Sequence, residues 1–172
     1  LTLIDEKGKP YPPELQWKQW QKVRFYGDWI RRYHLRRRPH DAIVHAGFST
    51  VYSSITQLLI RRTLFEQVGY FKGTFGAVAD FEWGLRAAMN TDTVHVPYHL
   101  ATWRVHSNRA TDNAYLNTSA FFENLLRMVD AAWESNPGFE VPRNDLKRVY
   151  FKRYLDRLRS EIAAGGRPRR LT

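Results

Sequence analysis

The apolar side chains of this chain recur every three or four residues over long stretches, and this spacing restricts what the chain can fold into. Over 14–38, Trp17, Trp20, Val23, Tyr26, Ile30 and Tyr33 form one stripe. Lys18, Lys22, Arg31 and Arg32 take the other face, and Pro39 ends the run. Over 143–164, Leu146, Tyr150, Tyr154, Leu158 and Ile162 follow one another every four residues, which predicts a last helix. Between these lie a helix over 115–134, broken by Ser135-Asn-Pro-Gly138, and a short helix over 61–68 that Gly69 closes as an αL cap. A further helix over 80–89 puts Phe81, Leu85 and Ala88 on one face and Asp80 at its N-cap.

Strand-like sequence is scarce by comparison. The residues around 50–53 and 57–60 are rich in β-branched and aromatic types, and 93–96 and 100–105 read as two strands around Pro97. Residues 1–4 read as the tail of a strand belonging to something upstream, 8–13 as a connection and 72–76 as a glycine loop. Four short strands without an evident hairpin partner make a poor isolated sheet. The reading is therefore an α/β protein with a small, incomplete mixed sheet and several flanking helices. It divides into residues 1–142 and a basic C-terminal helix and tail, 143–172.

Composition sets the outer bounds. A chain of 172 residues that is 43% apolar can bury enough surface to offset ordering entropy, which excludes a disordered class. It has no cysteine, so disulfide frameworks and cysteine-based metal or redox sites are excluded. No apolar run approaches the roughly 20 residues that cross a bilayer, and the first residues lack the layout of a signal peptide. A cytoplasmic protein, free or peripheral at the inner face of the membrane, is the expectation.

The net charge of +10 is unevenly placed. Residues 15–38 carry eight Lys/Arg against one acid and residues 143–172 ten against three, whereas 39–142 carry seven against ten. Basic ends around a slightly acidic middle fit nucleic acid, anionic lipid or a diphosphate substrate, and equally fit solvated helix faces.

Motifs of the common self-contained enzymes are missing: no P-loop, GxGxxG, HExxH or GxSxG occurs. His95 and His99 are four apart, but the strand-like sequence around Pro97 keeps them off a shared helical face, so they do not read as a metal pair. What remains is a polar cluster in 78–109. Asp80 sits where a glycine loop meets a helix, with Glu82 and Trp83 behind it, and Arg104 and His106 end a strand. A carboxylate at such a junction is ordered yet reachable, as a general base must be. Arg and His at a strand end can hold a diphosphate or complete a metal shell. Each residue also has a plain structural reading: Asp80 as an N-cap, Trp83 as a core anchor, Arg104 as the partner of Glu82.

Three segments in order resemble family-two glycosyltransferases. Residues 54–71, with an apolar strand, Arg61-Arg62 and Phe65-Glu-Gln-Val-Gly-Tyr-Phe71, are similar to the family's "Phe-Glu-x-Val-Gly-x-Phe" region. Ala79-Asp-Phe-Glu-Trp-Gly-Leu-Arg86 resembles its acidic motif, with Ala79 where the family often has an acid. Val94-His-Val-Pro97 through Arg104-Val-His106 resembles the stretch that follows. The resemblance covers about 54–111 and implies a glycosyltransferase-A-type fold and inverting transfer from a nucleotide-diphosphate sugar to a glycan or lipid-linked acceptor. It implies Asp80 as general base, Glu82 and Trp83 along the acceptor, and Arg104 and His106 at the donor diphosphate, with His106 touching a divalent Mn or Mg ion.

The family's N-terminal nucleotide-binding half, with its Asp-x-Asp motif, has no counterpart here, although Asp5-Glu-Lys-Gly8-Lys9 is similar to the region after that motif. The chain is expected to be the acceptor-side portion, inactive alone. Nucleic acid is not an expected partner on this reading. The alternative is a non-enzymatic basic module that binds nucleic acid or an anionic membrane surface.

Overall fold

The computed structural model describes residues 2–13, 26–47, 52, 55–106, 118–140 and 142–164. The elements are β1 (Thr2–Ile4), β2 (His34–Arg36), α1 (His40–Gly47), α2 (Arg62–Val68), α3 (Ala79–Asn90), β3 (Thr93–His95), β4 (Thr102–Arg104), α4 (Ser119–Glu134) and α5 (Arg143–Ala163), with 3₁₀ turns at Gly27–Arg31, Ile55–Gln57 and Gly73–Val78. The protein is mixed α/β, and helices dominate it. Among the described residues no helix is long and apolar enough to cross a membrane.

Helix α3 is the axis of the fold. Every residue from Glu82 to Met89 is buried, so this helix is enclosed on all sides instead of presenting one apolar stripe. Leu85, Ala88 and Met89 join Ala42 and Ala46 of α1, Leu125, Met128, Val129 and Ala132 of α4, and Tyr150 of α5 in one core. Gly84 lets α1 approach, because a Cβ there would lie 2.9 Å from the His45 ring and 3.0 Å from the Tyr52 ring. Tyr150 satisfies its buried hydroxyl by donating to the His45 carbonyl at 2.8 Å.

Helices α4 and α5 run antiparallel, because opposite ends of the two are tied. At the start of α4 the Ser119 N–H and hydroxyl donate to the Glu161 carboxylate, at 2.8 and 2.7 Å, near the end of α5. Towards the far end of α4, Asp130 accepts two bonds from Lys147 Nζ, at 2.9 and 2.7 Å, near the start of α5. Thr118 caps α4, its side chain accepting from the Phe121 N–H. A carboxylate at the first turn of a helix also meets the positive end of the helix dipole, which favours the Glu161 contact.

The strands form two separate two-stranded sheets, where the sequence suggests one small mixed sheet. β1 pairs with β4 in parallel, Leu3 opposite Trp103, and β2 pairs with β3 antiparallel, Leu35 opposite Val94. The strands around Pro97 thus separate into different sheets. The helical spacing over 14–38 is also corrected in part: residues 27–31 form a 3₁₀ turn and 34–36 a strand. Pairing with β3 overrides local spacing there. Of the strand expected at 57–60, the described backbone shows a 3₁₀ turn at Ile55–Gln57 and no strand beyond it. The stripe through Trp17, Trp20 and Val23, most of the strand at 50–53, and residues 107–117 and 165–172 lie outside the described residues.

Candidate functional site

Helix α3 starts from the 3₁₀ turn Gly73–Val78, inside which Gly76 adopts φ 54° and ψ −129°. Val78 occupies the N-cap and makes no side-chain capping bond. Asp80 is therefore the second residue of the helix, two positions beyond its N-cap, where sequence context suggests the cap itself. Its side chain is exposed, and Oδ1 accepts the Phe81 N–H at 2.8 Å. A carboxylate in the first turn is favoured by the helix dipole and stays open to solvent here.

Glu82 is wholly enclosed. Its oxygens accept two parallel bonds from Arg86, Nε to Oε1 at 2.6 Å and Nη2 to Oε2 at 2.9 Å. Lys72 Nζ stands 3.4 Å from Oε1. Arg104, the partner that sequence suggests as one alternative for Glu82, is elsewhere. Arg86 also donates to the carbonyls of Val68 and Tyr70, the latter at 2.9 Å, and so caps the C-terminal end of α2. Trp83, 1% exposed, donates its indole N–H to the Gly69 carbonyl at 2.9 Å and stacks on Phe65, ring centres 5.0 Å apart. Phe71 packs against it as well, ring centres 5.2 Å apart. Both side chains are thus enclosed, which fits the reading of Trp83 as a core anchor.

These contacts explain two motifs at once. Residues 65–71 and 79–86 are the two halves of one tie, in which Trp83 and Arg86 read the backbone of residues 68–70. Gly69 stops α2 with φ 77°, but its ψ of 175° lies outside the αL cap that sequence suggests. A Cβ at Gly69 would lie 3.6 Å from Arg86 Nη1.

The third motif meets a different partner. Arg104 Nη1 donates to the carbonyls of Glu6 at 2.7 Å and Asp5 at 3.3 Å. The turn it holds is built by Asp5, whose Oδ1 accepts the N–H groups of Lys7 and Lys9 at 2.9 and 2.8 Å. The parallel β1–β4 ladder continues through the Val105 N–H, which donates to the Ile4 carbonyl at 2.7 Å. His106 follows it and is exposed. Among the described residues, no hydrogen bond or ion pair joins Asp80 to Arg104 or His106. Nor is there, among them, a group of three or more His, Asp or Glu placed to hold a metal ion. A lone exposed imidazole does not fit Mg or Mn, which take several oxygen ligands.

A second polar cluster escapes sequence inspection. Asp41 is buried at the start of α1, where Oδ1 lies 3.2 Å from Arg36 Nε and 3.3 Å from both His40 Nδ1 and the Tyr26 hydroxyl. Burial, and then the Asp41 carboxylate, push the Tyr26 phenol well above its ordinary value, so it stays protonated as a donor. Among the described residues, Asp41 Oδ2 and His34 Nε2 are buried without a hydrogen-bond partner. The only sequence signal is the density of charged and imidazole groups over 34–41, which interrupts the apolar stripe. His95 and His99 occupy separate neighbourhoods: His95 donates from Nε2 to the Ile30 carbonyl at 2.8 Å, and His99 Nδ1 lies 3.3 Å from the Thr2 hydroxyl.

Compared with protein-family models, curated proteins and solved structures, the chain matches none.

Proposed function

We propose that this chain is the acceptor-side part of an inverting, family-two glycosyltransferase catalytic domain of glycosyltransferase-A type, with Asp80 as its general base. One observation carries the reading: Asp80 holds an exposed carboxylate at the start of a helix whose next eight residues, from Phe81 on, include seven that are buried. A base so placed is rigidly held and still reachable by an acceptor hydroxyl. The hydroxyl attacks the anomeric carbon and passes its proton to Asp80 while the bond to the diphosphate breaks, the electron pair leaving with the nucleoside diphosphate. The ordered motifs support this reading, since two of them form one tie beneath Asp80 and the third braces the turn at Asp5. Glu82 and Trp83 act in it as positioning residues under the base.

Arg104 and His106 would face the donor diphosphate, whose leaving charge needs cationic stabilisation. A divalent Mn or Mg ion would supply further stabilisation there, held by donors other than the described residues. The donor is a nucleotide sugar, the acceptor a glycan or lipid-linked glycan of the cell envelope, and the place of work the cytoplasmic side of the membrane. The test is Asp80→Asn in the chain joined to its nucleotide-binding half. The expected outcome is a fall in kcat of about a hundredfold or more with donor affinity unchanged, within the range ascribed to a general base. Undiminished turnover overturns the assignment, as does a coding sequence upstream that holds no βαβ segment with Asp-x-Asp.

A further inference from the structure

The antiparallel pair β2–β3 has two unlike faces. His34 and Arg36, with Thr93 and His95 opposite, turn inward and are partly buried. The alternate positions turn out. Leu35 stands directly opposite Val94, and Tyr33 and Tyr98 meet edge to face at 5.6 Å. With Val96, these make five outward apolar or aromatic side chains, each between 40 and 64% exposed. Monomers seldom leave so many large apolar groups contiguous in water unless something covers them.

Charge decides what the cover is. Arg31 and Arg32 precede the face and Arg37 and Arg38 follow it, and all four are exposed. The acid at its border, Asp92, is already engaged, 3.1 Å from Arg37 Nη1 and accepting the Arg38 N–H at 2.8 Å. Asp28 and the buried Asp41, which pairs with Arg36, are the other acids nearby in sequence. A second copy of a chain with net charge +10 would bring the same arginines against these. A nucleic acid would meet three aliphatic side chains at the centre, which neither stack on bases nor bond to their edges. An anionic bilayer offers apolar depth at the centre and phosphate at the rim, and tyrosines favour that boundary.

We propose that this face docks on an anionic lipid bilayer, with Leu35, Val94, Val96, Tyr33 and Tyr98 entering the headgroup region and the four arginines meeting lipid phosphate. The attachment stands apart from sugar transfer and is measured with no donor or acceptor present.

The experiment is cosedimentation of the full chain with vesicles of phosphatidylcholine alone or with about 30 mol% phosphatidylglycerol, at about 0.05 and about 0.5 M salt. Binding to the anionic vesicles is expected to be about tenfold or more tighter than to neutral ones. Leu35→Ser with Val94→Ser should weaken it about tenfold at both salt concentrations, with unchanged circular dichroism. Arg31→Gln with Arg32→Gln should weaken it at low salt and converge with the parent at high salt, and this pair decides if the first fails to fold. Equal binding to neutral vesicles, or binding retained in both variants, overturns the proposal. So does a dimer, or an oligonucleotide complex, that the Leu35/Val94 pair abolishes while vesicle binding is absent.

Discussion

Arg86 grips Glu82 one helical turn earlier through two parallel bonds of 2.6 and 2.9 Å, inside a part of the core where the carboxylate has no solvent exposure. A buried pair of this kind is a weak source of net stability but costly to break, because Glu82 is left buried with Lys72 Nζ, 3.4 Å from Oε1, in place of two parallel bonds. Arg86→Ala removes the Glu82 partner and strands the Val68 and Tyr70 carbonyls together. The expected loss is about 3–5 kcal/mol in urea denaturation. Arg86→Lys should recover part of it, since a single ammonium cannot span both carboxylate oxygens and two carbonyls. A loss in Arg86→Ala below about 1 kcal/mol would show that the tie is not structural.

Gly84 supplies a second, opposing test. An alanine in a helix interior ordinarily gains about 1 kcal/mol over glycine. Here its Cβ would lie 2.9 Å from His45 Cε1 and 3.0 Å from Tyr52 Cδ2, so α1 has to shift. Overpacking of that order costs about 1–3 kcal/mol, and Gly84→Ala should be destabilising on balance. Gly138→Ala, with nothing within 4 Å of the added carbon, is the control and should stay near neutral in the same thermal unfolding series.

The His34–His95 pair should make the β2–β3 sheet acid-labile. Their rings lie 4.8 Å apart, and burial, helped by the nearby charges of Arg36 and His34, holds His95 below its ordinary value of 6.5. The Ile30 carbonyl and Asp41 act the other way. Because the folded state holds its proton less tightly, the unfolded chain binds more protons in this window, and stability rises with pH. The contribution is complete above about pH 6.5 and is lost as pH falls from there towards the lower folded value. His95→Gln, which keeps a donor for the Ile30 carbonyl, should flatten the fall in urea midpoint between about pH 7 and about pH 5. An unchanged slope would place the acid sensitivity elsewhere.

How much of this was legible beforehand depended on the range of the interaction. The helices over 61–68, 80–89 and 143–164 stood out because a 3.6-residue period is a local property, and α2, α3 and α5 lie there within a residue or two. The stretch 34–36 falls inside the helix expected over 14–38 and is nevertheless a strand. Its partner, residues 93–95, lies about sixty positions away, and ladder hydrogen bonds with it outweigh a weak local preference. α1 went unread for a related reason. Asp41 and His45 look like surface residues until Arg36, Tyr26 and the Phe81 carbonyl close around them.

The candidate site divides along the same line. Asp80 was identifiable from its position between a glycine turn and a helix, and its exposure is what a helix start gives. By itself the sequence determined the helices at 61–68, 80–89 and 143–164, the basic ends and the order of the three motifs. Glu82 and Arg86 stand four apart on one helix, so their pairing was open to sequence, although Arg104 is the partner named there. Only the tertiary structure decided that Trp83 and Arg86 hold the backbone at 68–70 and that Arg104 braces the turn at Asp5. A guanidinium takes whichever carboxylate or carbonyl the packing brings within 3 Å, and chain spacing fixes such neighbours only when they lie on one helix.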